Sequence, residues 1–178
     1  MKSRSIKGEY GIDYAIGTSG VRNFQELLDR RNQQLAAQMA DTTPEHRMEF
    51  VKSFRGVDFI NDAASENANG IYMALSDRTK PTTWITSFTD WNSIGVDLLQ
   101  LIIQKVNAIV FYGEEDDQTR SFIEALNIHH EQSEDLETAV RIAFYSSRQG
   151  DEVLFCPGTP ATNCAERGSE FKSSVAQL

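Results

Sequence analysis

The sequence predicts an α/β domain with a Rossmann-like, mostly parallel sheet, helices on both faces and a helical N-terminal extension. Three observations predict it. Strand-like and helix-like stretches alternate from about residue 44 to the end, the order in which βαβ units are written. AIVFYG (108–113) is a continuous apolar run of strand length, as strands buried on both faces read. Between such runs lie stripes at 3.6-residue spacing, the cleanest being Leu136, Ala139, Val140, Ala143, Phe144 and Ser147.

Taken in order, residues 1–20 hold four glycines and little pattern, so loops and a short extended piece are expected. Phe24, Leu27, Leu28, Leu35 and Met39 predict a helix with Asn23 as N-cap, ended by Pro44 in DTTPEHR. The boundary of the α/β body lies near there, giving an extension over 1–43 and a domain over 44–178. RMEFVKSF and VDFIN, separated by Arg55-Gly56, predict a β-hairpin or two adjacent strands. A helix over about Asn67–Leu75, a strand TTWITSF, and a helix carrying Val96, Leu99, Ile102, Ile103 and Val106 follow. After AIVFYG, Thr119, Phe122, Ile123 and Leu126 mark the next helix. Leu136, Val140, Ala143 and Phe144 are expected to bury one face of the helix after that, with Gly150 as its C′ residue. EVLFC (152–156) is the last strand, and Phe171, Val175 and Leu178 lie on the last helix.

Composition narrows the partners. The chain has 178 residues, 40% hydrophobic and 24% charged, the mix of a soluble globular protein. Its net charge is −9, unevenly spread: nine basic and seven acidic residues through Arg55, eight and nineteen after it. Nucleic acid and anionic membrane need clustered Lys and Arg, so the expected partner is a small molecule or a protein instead. No apolar run reaches membrane-span length, and MKSRSIKGEYG lacks the apolar segment of a secretory signal. Cys156 and Cys164 lack C-x-x-C spacing and are expected as reduced thiols in a cytoplasmic protein.

Motifs for chemistry are sparse. GTSG (17–20) lacks the Lys of a phosphate-binding P-loop, and no G-x-G-x-x-G follows a strand. GEEDDQTR (113–120) could offer carboxylates to Mg²⁺, but acids at the start of a helix complement its dipole without any metal. Adjacent histidines in NIHHEQ (127–132) point to opposite faces of an extended segment, so they are expected at the surface and not on one metal. No catalytic residue and no metal site are assigned. CPGTPATNCAERG (156–168) leaves the last strand and enters a helix, with Asn163 as a candidate N-cap. Loops at that edge of a sheet are where open α/β folds hold ligands.

Three separated stretches, PEHRMEFV, VDFINDAASENANGIYMAL and GDEVLFCPG…ERGSEFK, resemble the C-terminal domain of the Mur ligases, with the D-glutamate-adding members nearest. ALSDRTKPTTWI and LETAVRIAFYSSRQGDEVLF fit the same domain in order, and IKGEYGIDYA resembles the segment closing that family's central domain. The resemblance implies that residues 1–43 are a remnant of the domain junction. It also implies a two-stage reaction in the family: ATP activates a carboxylate as an acyl phosphate, and an amino acid's amine attacks it. In the family the C-terminal domain touches the nucleotide and holds the incoming amino acid. His46, Arg47, Asn61, Asp62 and Asn67 stand at the family's nucleotide-facing positions.

The amino-acid pocket departs from the family. Its S-K-A-T-N loop reads Ala63-Ala64-Ser65-Glu66-Asn67, so the Lys is Ala64 and the Thr is Glu66. Its G-G-x-D-K loop reads Ser87-Phe88-Thr89-Asp90-Trp91, keeping Asp90 and replacing the Lys by Trp91. Its last loop opens with Cys156-Pro157 in place of Ser-Pro, while Glu166-Arg167-Gly168 matches. A carboxylate desolvated without a cation is unfavourable, so this pocket of Ala64, Glu66, Asp90, Trp91, Cys156 and Arg167 is expected to reject D-glutamate. No cofactor is expected, and weak ATP or ADP binding is the most the nucleotide-facing set would support. The leading expectation is a degenerate, non-catalytic binding or regulatory domain linked to peptidoglycan synthesis. The alternatives are one component of a split ligase and an unrelated small-molecule-binding α/β protein.

Overall fold

In the computed structural model, residues 45–178 are described, together with the backbone of two short strands, β1 (Ile6–Lys7) and β2 (Asp13–Tyr14). These two pair antiparallel, Ile6 opposite Tyr14, within the IKGEYGIDYA stretch. Contacts divide the chain into compact units at Thr43/Pro44. The helix predicted from Phe24 to Met39 lies outside the described residues.

The second unit opens on a hairpin of β3 (Glu49–Phe54) and β4 (Val57–Asn61), closed by Phe54 opposite Val57. Both turn residues are left-handed, Arg55 at φ 51° and Gly56 at φ 81°, the conformation that matches the twist of the flanking strands. The chain continues through α1 (Ala68–Ser76), β5 (Thr82–Thr86), a 3-10 turn (Trp91–Ser93), α2 (Val96–Lys105), β6 (Val106–Tyr112) and α3 (Asp117–Ala125). It ends with β7 (His129–Ser133), α4 (Leu136–Ser146), β8 (Glu152–Phe155) and α5 (Cys164–Ala176). The sheet order is β3-β4-β8-β5-β6-β7, with β3 antiparallel and every other pair parallel.

Alternation along the buried strands sends side chains to two cores. Ile60, Trp84, Ile109, Phe111 and Leu154 meet α1, α2 and α3 through Ile71, Leu75, Leu98, Ile102 and Ile123. Phe59, Ile85, Val110, Val153 and Phe155 meet α4 and α5 through Leu136, Ala139, Val140, Ala143, Phe171 and Val175. Each fully buried large apolar side chain contributes about 1.5–3 kcal/mol. Side-chain caps start four helices: Asn67 on Gly70 N–H, Asp116 on Thr119, Asp135 on Thr138 and Asn163 on Glu166. Among the described residues no helix is long and apolar enough to cross a membrane.

Several sequence expectations need correction. The polar edge strand β7 adds a sixth strand, hidden in sequence because four of its five residues lack full burial. Phe144 is only half-buried; it packs on Phe54 at 5.3 Å at the rim, and Ala139 takes its place in the core face. On α2, Leu98 and Ile102 face the core, whereas Val96 and Ile103 are exposed. The helix α4 stops at Ser146, so Gly150 (φ 99°) belongs to the following turn, where its N–H donates to the Gly56 carbonyl.

Candidate functional site

The chain leaves β4 for α1 on one face of the sheet and leaves β8 for α5 on the other. β4 and β8 are neighbours, with Asn61 level with Phe155. The crevice outside their carboxyl ends is therefore a topological switch point, the place where open α/β sheets take ligands. Three segments line it: the turn carrying His46 and Arg47, the loop after β4 (62–67) and the loop after β8 (156–163).

Asn61 organises the floor. Its amide nitrogen lies 3.0 Å from His46 Nδ1, 3.1 Å from Glu49 Oε2 and 3.3 Å from the Gly168 carbonyl, and its Oδ1 accepts Ala63 N–H at 3.2 Å. Two amide protons are thus shared among three acceptors, and none is left for a ligand. His46 is buried and held in the left-handed region at φ 65°, as is Met48 at φ 50°. Such backbone costs about 1–3 kcal/mol per residue and persists only where surroundings enforce it. Here the Ala64 N–H donates to the His46 carbonyl (3.0 Å), and Met48 N–H donates to Asp62 Oδ1 (3.1 Å). Lys172 on α5 holds Glu45 (2.8 Å) and Glu49 (3.1 Å), pinning the same turn from the other side. The His46 ring lies so close to α5 that a Cβ at Gly168 would overlap it.

Asp62 is buried and accepts from Met48 N–H and the Ser65 hydroxyl. Burial raises its carboxyl above the usual range; the Ser65 and Met48 hydrogen bonds, the Cys156 thiol and the charge of Arg47 oppose the rise. Cys156 is fully buried; burial first, then the neighbouring Asp62, pushes its thiol well up, which makes it an inert packing residue instead of a nucleophile. Both Cys156 and Cys164 are free. Arg167 donates to the Ala63 carbonyl at 2.7 Å and to Thr159 O and Oγ1 at 3.2 and 3.3 Å, so its guanidinium stitches the two loops together. Arg47 is exposed and makes no hydrogen bond or ion pair with another described residue.

The structure thus joins His46, Asn61 and Asp62 to Ala64, Cys156 and Arg167 through direct bonds or side-chain proximity. Asn67 stands beside them as the α1 cap, and Glu66 is exposed. Asp90 is exposed with no side-chain cap bond. Trp91 turns away into the core: its indole N–H donates to Thr119 Oγ1 (3.1 Å), and its ring stacks on Phe122 at 4.6 Å. Sequence reasoning missed Glu49, Ser65, Thr159 and Lys172. None carries a local signal, because each acts on a residue distant in sequence or through an ordinary loop.

The two motifs set aside for metals resolve into local side-chain contacts. Asp116 caps α3, and the buried Glu115 lies 3.1 Å from Arg120 Nε and 2.7 Å from His130 Nε2. His129 is exposed beside Glu131 (3.6 Å), but His130 is mostly covered, against the expectation that both lie at the surface. Among the described residues no three His, Cys, Asp or Glu side chains gather to hold a metal.

No family model matches the chain. A UDP-N-acetylmuramoylalanine–D-glutamate ligase from Christiangramia forsetii is 30% identical over 98% of this chain and 40% of its own length. The protein of that name from Chlorobaculum parvum is 33% identical over 75% of this chain and 29% of its own. The chain therefore spans well under half the length of these relatives. A murein peptide ligase structure from Psychrobacter arcticus shares the fold at 9% identity and a TM-score of 0.50, covering 75% of this chain and 30% of that one. The chain is similar to the Mur ligases over most of its length, consistent with a Mur ligase C-terminal-like domain.

Proposed function

We propose that this domain is a non-catalytic binding or regulatory module linked to peptidoglycan synthesis, with a ligand edge centred on Arg47. One observation carries the reading: the cations a carboxylate substrate would need are gone or engaged. Position 64 is alanine, position 91 is a core tryptophan, and Arg167 is occupied by Ala63 and Thr159. A carboxylate held at the family's amino-acid position would lose water and find no lysine at positions 64 and 91 to pair with. Arg47, exposed on its enforced turn, remains able to meet a phosphate.

Calorimetric titration with D-glutamate tests this. No heat of binding is expected below millimolar concentration for the protein or for Trp91→Phe. Ala64→Lys is expected to gain measurable affinity, because the loop backbone around it is fixed by His46 and Asp62. Sub-millimolar binding by the unaltered protein would refute the reading.

A second reading is that the domain completes a ligase site with partner domains of the kind its relatives carry. That reading requires turnover on mixing with a chain that carries the P-loop and the UDP-sugar domain. The third alternative, an unrelated binding protein, does not survive the relationship to the ligases.

A further inference from the structure

We propose that Lys172 of α5 is a positioning residue for Arg47: by engaging the two acids that flank Arg47, it leaves the guanidinium free to take a phosphate. The proposal rests on the reading of Arg47 as a ligand edge. Arg47 lies midway between Glu45 and Glu49, the nearest carboxylates along the chain. Carboxylates are the strongest partners a guanidinium has, so either acid would compete with a ligand for it. Arg47 is nevertheless exposed and bonds to no described residue. Both acids are taken by one ammonium: Lys172 Nζ donates to Glu45 Oε1 at 2.8 Å and to Glu49 Oε1 at 3.1 Å. The other Glu49 oxygen accepts from His46 N–H at 3.2 Å and from the Asn61 amide at 3.1 Å. The Lys172 hydrogen bond holds the Glu45 carboxyl below its usual range, and Glu45 in turn raises the Lys172 ammonium.

The backbone agrees with this assignment. His46 (φ 65°) and Met48 (φ 50°), one on each side of Arg47, are both left-handed, a conformation that persists only where surroundings enforce it. Lys172 ties both ends of that turn to one point on α5. Charge gives the clasp a direct effect on a ligand. Glu45, Arg47, Glu49 and Lys172 are two acids and two bases, which sum to zero. Without Lys172 the group carries −1, with two uncompensated carboxylates beside the guanidinium, and an incoming phosphate is repelled.

Titration of the 178-residue chain with ATP at constant ionic strength, followed by backbone amide NMR, tests the proposal, with the thermal midpoint of each variant measured alongside. Lys172→Met is expected to weaken ATP roughly fivefold, the weight of about one unit charge a few ångströms away in water. Lys172→Arg, which keeps the charge, is expected to restore the affinity. Lys172→Met combined with Glu45→Gln and Glu49→Gln is expected to bind at least as tightly as the parent, because the competing carboxylates are gone. Lys80→Met makes the same charge change just before β5, at the opposite edge of the sheet, and is expected to bind as the parent does. ATP that leaves the parent's amide signals unmoved would overturn the Arg47 reading and this proposal with it. Binding by the parent that survives Lys172→Met unchanged would overturn this proposal alone. So would a triple variant as weak as Lys172→Met, or a loss that follows the thermal midpoint and is not restored by Lys172→Arg.

Discussion

The positions that the resemblance assigns to the nucleotide and those it assigns to the amino acid differ in how the fold uses them. In the first set, His46, Asn61 and Asp62 are each buried with internal partners. In the second set, the family's Lys positions hold Ala64 and Trp91, and its serine position holds Cys156. The first set holds up the fold whether or not a ligand binds. In the second set, Trp91 and Cys156 have been taken into the core. Retention of family residues is therefore weak evidence of a retained ligand here, and the losses say more about chemistry.

The largest effect that sharpens this contrast is at Trp91. Trp91→Ala is expected to cost about 3–5 kcal/mol in a denaturant titration, the scale of emptying a large core site. A loss below about 1 kcal/mol would return Trp91 to a ligand-facing role. Gly168→Ala comes next. Its new methyl must displace the His46 ring, for an expected cost of about 1–3 kcal/mol. Pairing it with a smaller residue at position 46 should recover part of that, which a double-mutant cycle would measure.

Asp62 breaks the comparison by pH. Its folded pKa is raised by burial, so the folded state holds its proton more tightly than the unfolded chain does. The contribution is therefore fully present below the unfolded pKa and lost as pH rises through the folded value. Relative to Asp62→Asn, the unaltered protein is expected to gain stability as pH falls from 7 toward 4. Glu45, Asp58, Asp116 and Asp135 are shifted down and act in the opposite direction, so the difference between the two proteins is the quantity to follow. The smallest stability effect belongs to Arg47→Ala, expected to leave the unfolding midpoint unmoved while removing whatever nucleotide affinity calorimetry detects.

Much of the fold was legible in sequence because local chemistry and tertiary structure agree there. Arg55-Gly56 is a hairpin turn, Asn67 and Asn163 are caps, and AIVFYG is a buried strand. What escaped has no local pattern. HHEQS pairs only along one edge and carries no apolar alternation, so it does not read as a strand. Val96 and Ile103 keep helical period yet lie outside the core, since period alone does not say which of two stripes the sheet will cover. In the crevice, the resemblance located His46 and Asp62 but not the close packing of the His46 ring against Gly168, a contact that spans most of the domain in sequence. Arg167 matched its family position, while its engagement with Ala63 and Thr159 needed coordinates.

The measurement closest to the central claim is phosphate release with ATP, Mg²⁺, UDP-N-acetylmuramoyl-L-alanine and D-glutamate. Acyl-phosphate chemistry needs a phosphate cradle and cations opposite the developing charge. The sequence lacks the cradle motif, and the crevice has its guanidinium of Arg167 tied to the loops. No substrate-dependent release is expected from this chain alone. Turnover that needs both the UDP-sugar and D-glutamate, and that vanishes in Asp62→Ala while the variant stays folded, would contradict it and make the chain an active ligase.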